Sequence, residues 1–222
     1  EFDIIIWDGG NNDFPFIKPN ISLVVVDSRR SAHITKYHPG EANFRMADII
    51  LINKMYGSSD EPINFIKENA KKLNPEAKVI VIKSEVICKE HALIKNKNVL
   101  VVEDGPTLTH GGMDEGTATV AARIYGAKTV VDAEKYAVGS LKDVYKKYTH
   151  LKKILPAEGY SKKQLQELEK TINRAKADLV IQGTPSDLSR LLKLNKPVVY
   201  SGYDINEDSL KPLYKTLRTL VK

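Results

Sequence analysis

The sequence predicts an α/β protein built on a doubly wound, mainly parallel sheet. Short apolar, β-branched runs recur at 22–26, 48–52, 78–82, 98–102, 129–131, 179–181 and 198–200, and they read as strands by length and residue type. Stretches of helical period lie between several of them, at 61–73, 114–125, 162–175, 187–192 and 208–221. The runs are continuously apolar rather than alternating, which is the pattern of strands covered by helices on both faces.

The first apolar run, at 2–7, reads as a further strand that breaks off at Asp8-Gly9-Gly10-Asn11-Asn12-Asp13, so the chain looks as though it opens inside a fold. No internal repeat, low-complexity tract or flexible linker interrupts 1–222, and a single domain is expected. The nearest thing to a boundary is a Lys/Tyr-rich helical segment without a strand at 137–155.

Composition narrows the function class. With 222 residues, 42% apolar and 28% charged, the chain can bury a sizeable core and is neither disordered nor collagen-like. No apolar run approaches the roughly 20 residues needed to cross a bilayer. Cys88 is the single cysteine, which excludes an intrachain disulfide and reads as a packed thiol rather than a nucleophile. Nothing at 1–8 has the form of a signal peptide, so a cytoplasmic protein is expected. The 34 basic residues exceed the 28 acidic ones, for a net charge of +6. Most lysines sit among glutamates on helical stretches and are explained as solvated faces. No aromatic platform accompanies them, so neither nucleic acid nor a membrane is an expected partner, whereas a phosphorylated small molecule suits the charge. Abundant Lys, Ile and Glu with sparse Gln suit a thermophilic source.

Ligands of parallel α/β sheets bind beyond the carboxyl ends of the strands, so the residues just after each run are the candidates. Asp8 ends an apolar run in the manner of a Walker B carboxylate, which holds Mg²⁺ beside nucleotide phosphates; an Asx turn closing a strand is the alternative. Gly9, Gly10 and Asn11 add a backbone able to approach anionic oxygen closely. Asn53 and Lys54 follow the third strand as in the base-reading Asn-Lys-x-Asp of GTP-binding proteins, but Tyr56 stands where the guanine-reading Asp belongs, leaving ATP or a structural Asn53 open. Thr107, His110, Gly111 and Gly112 lie in a loop ahead of a helix expected to begin near Asp114, a composition suited to phosphate or carboxylate; a plain loop with Asp114 as cap is the alternative. Arg29, Arg30, His38 and Arg45 fall on or beside a long polar connection at 31–45 and could clamp phosphate, or be surface charges. His38 and Glu41 lack a second pair at metal-ligand spacing, which speaks against zinc. No Gly-x-Ser-x-Gly elbow and no Gly-x-x-x-x-Gly-Lys-Ser/Thr loop occurs.

Three segments in order carry a family resemblance: Ile6-Trp7-Asp8-Gly9-Gly10-Asn11-Asn12-Asp13-Phe14-Pro15-Phe16, Tyr37-His38-Pro39-Gly40-Glu41-Ala42-Asn43-Phe44-Arg45-Met46-Ala47-Asp48 and Val102-Glu103-Asp104-Gly105-Pro106-Thr107-Leu108-Thr109-His110-Gly111-Gly112-Met113. They resemble the archaeal and thermophile P-loop proteins known as predicted GTPases, related to cyclic 2,3-diphosphoglycerate synthetase. The likeness covers much of 1–135 and is less distinctive over 136–222. It implies a P-loop NTPase-like second half: a carboxyl-terminal portion whose Walker A loop belongs to a missing amino-terminal half. It further implies an ATP-dependent phosphotransferase or ligase that closes 2,3-bisphosphoglycerate into its cyclic anhydride. In that reading Asp8 holds the metal, with His38 and Arg45 beside it in catalysis. Gly9, Gly10, Asn11, Asn53 and Lys54 serve Mg²⁺-ATP, with GTP as the variant, and Arg29, Arg30, Thr107, His110, Gly111 and Gly112 serve the phosphorylated substrate. The competing expectation is a non-catalytic module binding a nucleotide or phosphometabolite, alone or as a homo-oligomer.

Overall fold

A computed structural model describes residues 3–10, 13–109, 115–157 and 161–220. The chain forms two compact units, Glu1–Glu85 with Asp204–Lys222, and Val86–Tyr203. The segment at 137–155 falls inside the second of them.

In the first unit, β1 (Leu23–Asp27), β2 (Ile49–Met55) and β3 (Lys78–Ile87) run parallel in sequence order, and β9 (Gly202–Ile205) lies beyond β3. Each strand sends alternate side chains to opposite faces. Val24, Val26, Ile50, Ile52, Val79 and Val81 pack with α1 (Gly40–Met46) and α2 (Glu61–Leu73) through Phe44, Ile63 and Ile66. Ile49, Leu51, Ile80 and Ile82 meet Leu210, Leu213 and Leu217 of α8 (Glu207–Leu220) on the other face. The buried Asn74 just after α2 donates from Nδ2 to the carbonyls of Phe44 (3.0 Å) and Ala47 (2.8 Å), satisfying acceptors left over where α1 ends.

The second unit is centred on β4 (Asn98–Asp104), fully buried along Val99–Val102. β7 (Leu179–Gly183) pairs parallel on one flank, followed by β8 (Val198–Tyr200). On the other flank β5 (Thr129–Val130) runs beside the start of β4 and β6 (Ile154–Ala157) beside its end, both parallel. A single large core joins these strands to α4 (Thr117–Ile124), α5 (Leu141–Lys147) and α6 (Lys162–Arg174). Ser161 and Gln164 close α6 with a reciprocal capping box. The architecture is α/β with mixed and parallel sheets, consistent with the doubly wound, mainly parallel fold expected from the continuous apolar runs.

Four local expectations are corrected. Residues 3–7 form no strand: without a paired neighbour an apolar run gains no ladder hydrogen bonds, and Ile4, Ile5 and Ile6 stay 65%, 82% and 88% exposed. The polar connection at 31–45 is largely helical, with a 3₁₀ helix at Ser28–Thr35 capped by Asp27 and then α1. The segment 137–155 contains α5 as expected but ends on β6, whose strand register depends on β4 rather than on local pattern. Gly105–Thr109 is a short helix, α3, rather than loop, and α4 begins at Thr117. Among the described residues no helix is long and apolar enough to cross a membrane.

Candidate functional site

Polar side chains gather at the carboxyl ends of both sheets, because strand ends are where backbone groups leave the ladder and need new partners. In the first unit the register sets Asp27 beside Asn53 and Met55 beside Ser84. Ser84 Oγ donates to Asn53 Oδ1 at 2.8 Å, and Asn53 Nδ2 points to Met55 Sδ at 3.4 Å. Ser28, fully buried, accepts from the Met55 N–H at 3.3 Å and donates to Ser58 Oγ at 3.1 Å. Asp27 accepts from the Arg29 N–H, while the Arg29 guanidinium donates to the Tyr56 carbonyl at 3.2 Å. Lys54 Nζ meets Asp60 at 2.6 Å, and this hydrogen bond and charge hold the Asp60 carboxyl below its usual range. Asn53 and Lys54 therefore sit side by side at the edge with their polar atoms engaged by Ser84, Met55 and Asp60.

The remaining candidates of this unit are more exposed. Asp8, Gly9 and Gly10 occupy an irregular, solvent-facing stretch. The Asp13 carboxylate accepts from the Gly10 N–H at 3.0 Å. Asn11 lies outside the described residues. His38 is exposed and makes an edge contact with the ring of Phe14 at 5.8 Å. Arg45 pairs with Glu41 one turn earlier on α1 at 2.7 Å. Arg30 sits at the kink of the 3₁₀ helix. Among the described residues no three His, Cys, Asp or Glu side chains gather into a metal-holding group.

In the second unit the centre of the carboxyl edge is Glu103, only 1% exposed. Its carboxylate accepts from the N–H of Gly116 (3.2 Å), the N–H of Thr119 (2.7 Å) and Thr119 Oγ1 (2.9 Å). Burial pushes this carboxyl above its ordinary range, and the donors of Thr119, Ala118 and Gly116 pull the other way. Two glycines make room for it: a Cβ on Gly183 or Gly116 would sit 2.2 or 2.3 Å from Glu103 Oε2. Around it Ser201 Oγ donates to Thr117 Oγ1 at 3.2 Å, and Gln182 bridges the carbonyls of Thr184 and Ser186 while accepting from the Leu188 N–H. The amino end of α4, expected from the sequence to face an exogenous anion, thus holds the protein's own carboxylate. Thr107 lies in α3, and His110, Gly111 and Gly112 fall outside the described residues. Cys88 is buried, and burial raises its thiol above the usual range.

Gln182, Ser84, Ser201 and Thr117 are members of these networks that motif reading passed over. The available signal was position: Gln182 follows the apolar run 179–181 directly and Ser84 lies two residues past the run 78–82, where a polar residue is not needed for packing.

These features define an α/β protein of mainly parallel sheets with polar, donor-rich carboxyl edges. No protein-family profile matches the chain. It is 53% identical over all 222 residues to the protein called arginine synthetase ArcE of the archaeon Thermococcus kodakarensis, and it spans half of that relative's length.

Proposed function

We propose that this chain is one half of a nucleotide-dependent ligase whose product is arginine. The observation that carries the reading is the 53% identity over all 222 residues to a protein named as an arginine synthetase. The chemistry agrees with the ATP-dependent ligase class implied by the family resemblance. A guanidinium carbon carries three nitrogens, so condensing a nitrogen donor with a ureido carbon must expel oxygen. That oxygen leaves readily once it is phosphorylated, which couples the new C–N bond to nucleotide cleavage.

In this reading Asp8, with Gly9, Gly10 and Asn11, is the place for the metal and terminal phosphates, and Mg²⁺ supplies neutralisation of phosphate charge there. Asn53 and Lys54 serve the nucleotide. Arg29, Arg30, Thr107, His110, Gly111 and Gly112 serve the phosphorylated group, with His38 and Arg45 assisting, in a P-loop framework whose Walker A loop belongs to the other half.

The test supplies a ureido amino acid, ammonia and Mg-ATP to this chain, alone and joined to the half of the relative outside the match, and quantifies arginine and inorganic phosphate. Equimolar arginine and phosphate from the joined protein, falling by roughly a hundredfold or more in Asp8→Ala, is the expected result. Absence of arginine together with cyclic product from 2,3-bisphosphoglycerate would replace this reading with the cyclisation chemistry.

A further inference from the structure

The first unit carries an unblunted sheet edge. Among the described residues β1 is the terminal strand of its sheet and pairs only with β2. Natural edge strands are commonly protected by lysine, proline, bulges or brevity. β1 reads Leu-Val-Val-Val-Asp over five residues and has none of these before its final Asp. The second sheet differs: its edges are β5, two residues long, β6, four residues long with Pro156 inside it, and β8, three residues long and preceded by Lys196 and Pro197.

The face of β1 is open as well. Register places Leu23 beside Ile49 and Val25 beside Leu51, and α8 covers Ile49 and Leu51. Leu23 and Val25 nevertheless stay 37% and 56% exposed. In the same unit Ile4, Ile5, Ile6 and Trp7 are 65%, 82%, 88% and 44% exposed, an apolar run with strand composition and no ladder partner. Exposed apolar surface of this kind marks an interaction site. The relative carries as much chain again outside the match.

We propose that the free edge and open face of β1, together with residues 4–7, are the docking surface for the half of the polypeptide that the relative carries outside the match, and that docking extends this sheet beyond β1. The parallel order β1-β2-β3 favours this occupant over a second copy of the chain. Two copies related by a two-fold axis would pair β1 with β1 antiparallel, whereas a separate segment can continue the parallel order. The proposal concerns assembly and is read without any activity, so it stands or falls separately from the ligase reading.

The experiment co-expresses this chain with the unmatched half of the Thermococcus kodakarensis protein, and in parallel joins the two as one polypeptide. Co-purification as a 1:1 complex by native mass spectrometry is expected, with Val25→Asp weakening association by about tenfold or more and Leu191→Asp, on the second unit, leaving it unchanged. In the joined polypeptide, hydrogen exchange at residues 4–7 and 23–26 is expected to slow by about tenfold or more relative to this chain alone. This arm also reports if the separate half fails to fold. Unchanged exchange in the joined protein, association indifferent to Val25→Asp, or a homodimer of this chain abolished by Val25→Asp would each overturn the proposal.

Discussion

The two units close their sheets differently. In the second, β4 has neighbours on both flanks, every side chain from Val99 to Val102 is buried, and the carboxyl edge is filled by Glu103 and its donors. In the first, β2 and β3 are covered on both faces while β1 keeps one edge and part of one face in solvent. The contrast teaches that equally apolar runs do not have equal fates. A run becomes core when parallel neighbours and helices reach it, and becomes a docking surface when they do not.

The sharpest way to break this comparison is to empty the centre of the closed edge. Glu103→Ala strands three donors in a buried place and is expected to cost about 3 kcal/mol in urea unfolding; an unchanged midpoint would show that Glu103 is no keystone of the edge. Glu103→Gln keeps an acceptor and reads the charge. A carboxyl raised in the folded state holds its proton more tightly there than in the unfolded chain. Its contribution is therefore fully present below the ordinary value of 4.5 and is lost as pH rises through the folded value. The stability advantage of the natural protein over Glu103→Gln is expected to shrink as pH rises across that window, and a constant difference would refute the buried-carboxyl account.

Hydrogen exchange compares the units directly. Amides of β4 and β7 are expected to exchange about a hundredfold more slowly than those of β1, and equal rates would erase the distinction. Gly183→Ala places a methyl group on the Glu103 carboxylate and is expected to cost about 2 kcal/mol, with its midpoint falling below that of the natural protein. Val25→Asp, on the exposed face of β1, is expected to change the stability of this chain alone by less than about 0.5 kcal/mol; a larger loss would mean that β1 is already covered. Smallest of all, Asp60→Asn removes a solvent-exposed partner of Lys54 and should leave the unfolding midpoint where it is.

Much of the architecture was legible because it rests on short-range pattern. The apolar runs at 22–26, 48–52, 78–82, 98–102, 179–181 and 198–200 each lie within or overlap an observed strand, and helices at 61–73 and 162–175 match α2 and α6 within a residue. The strand β6 was not legible, since Ile154–Ala157 is four residues containing a proline and is a strand only through its register with β4. The candidate residues were found by position at strand ends, and Asn53 and Lys54 do stand near the carboxyl end of β2, whereas Glu103 was passed over. Their partners were not readable: Ser84 lies 31 residues from Asn53, and Thr119 lies 16 from Glu103.

By itself the sequence determined the alternation of buried strands and amphipathic helices, the mainly parallel sense of the sheets, and the enrichment of polar residues at the strand ends, because period, residue shape and local turns are properties of neighbouring residues. Only the tertiary structure decided that the chain folds as two units, that residues 3–7 join no sheet, and that the amino end of α4 holds Glu103 rather than presenting its amides to a ligand. Each of these depends on which distant segment arrives to pair, cover or cap, and pairing between residues far apart in the chain leaves no periodic trace in either partner.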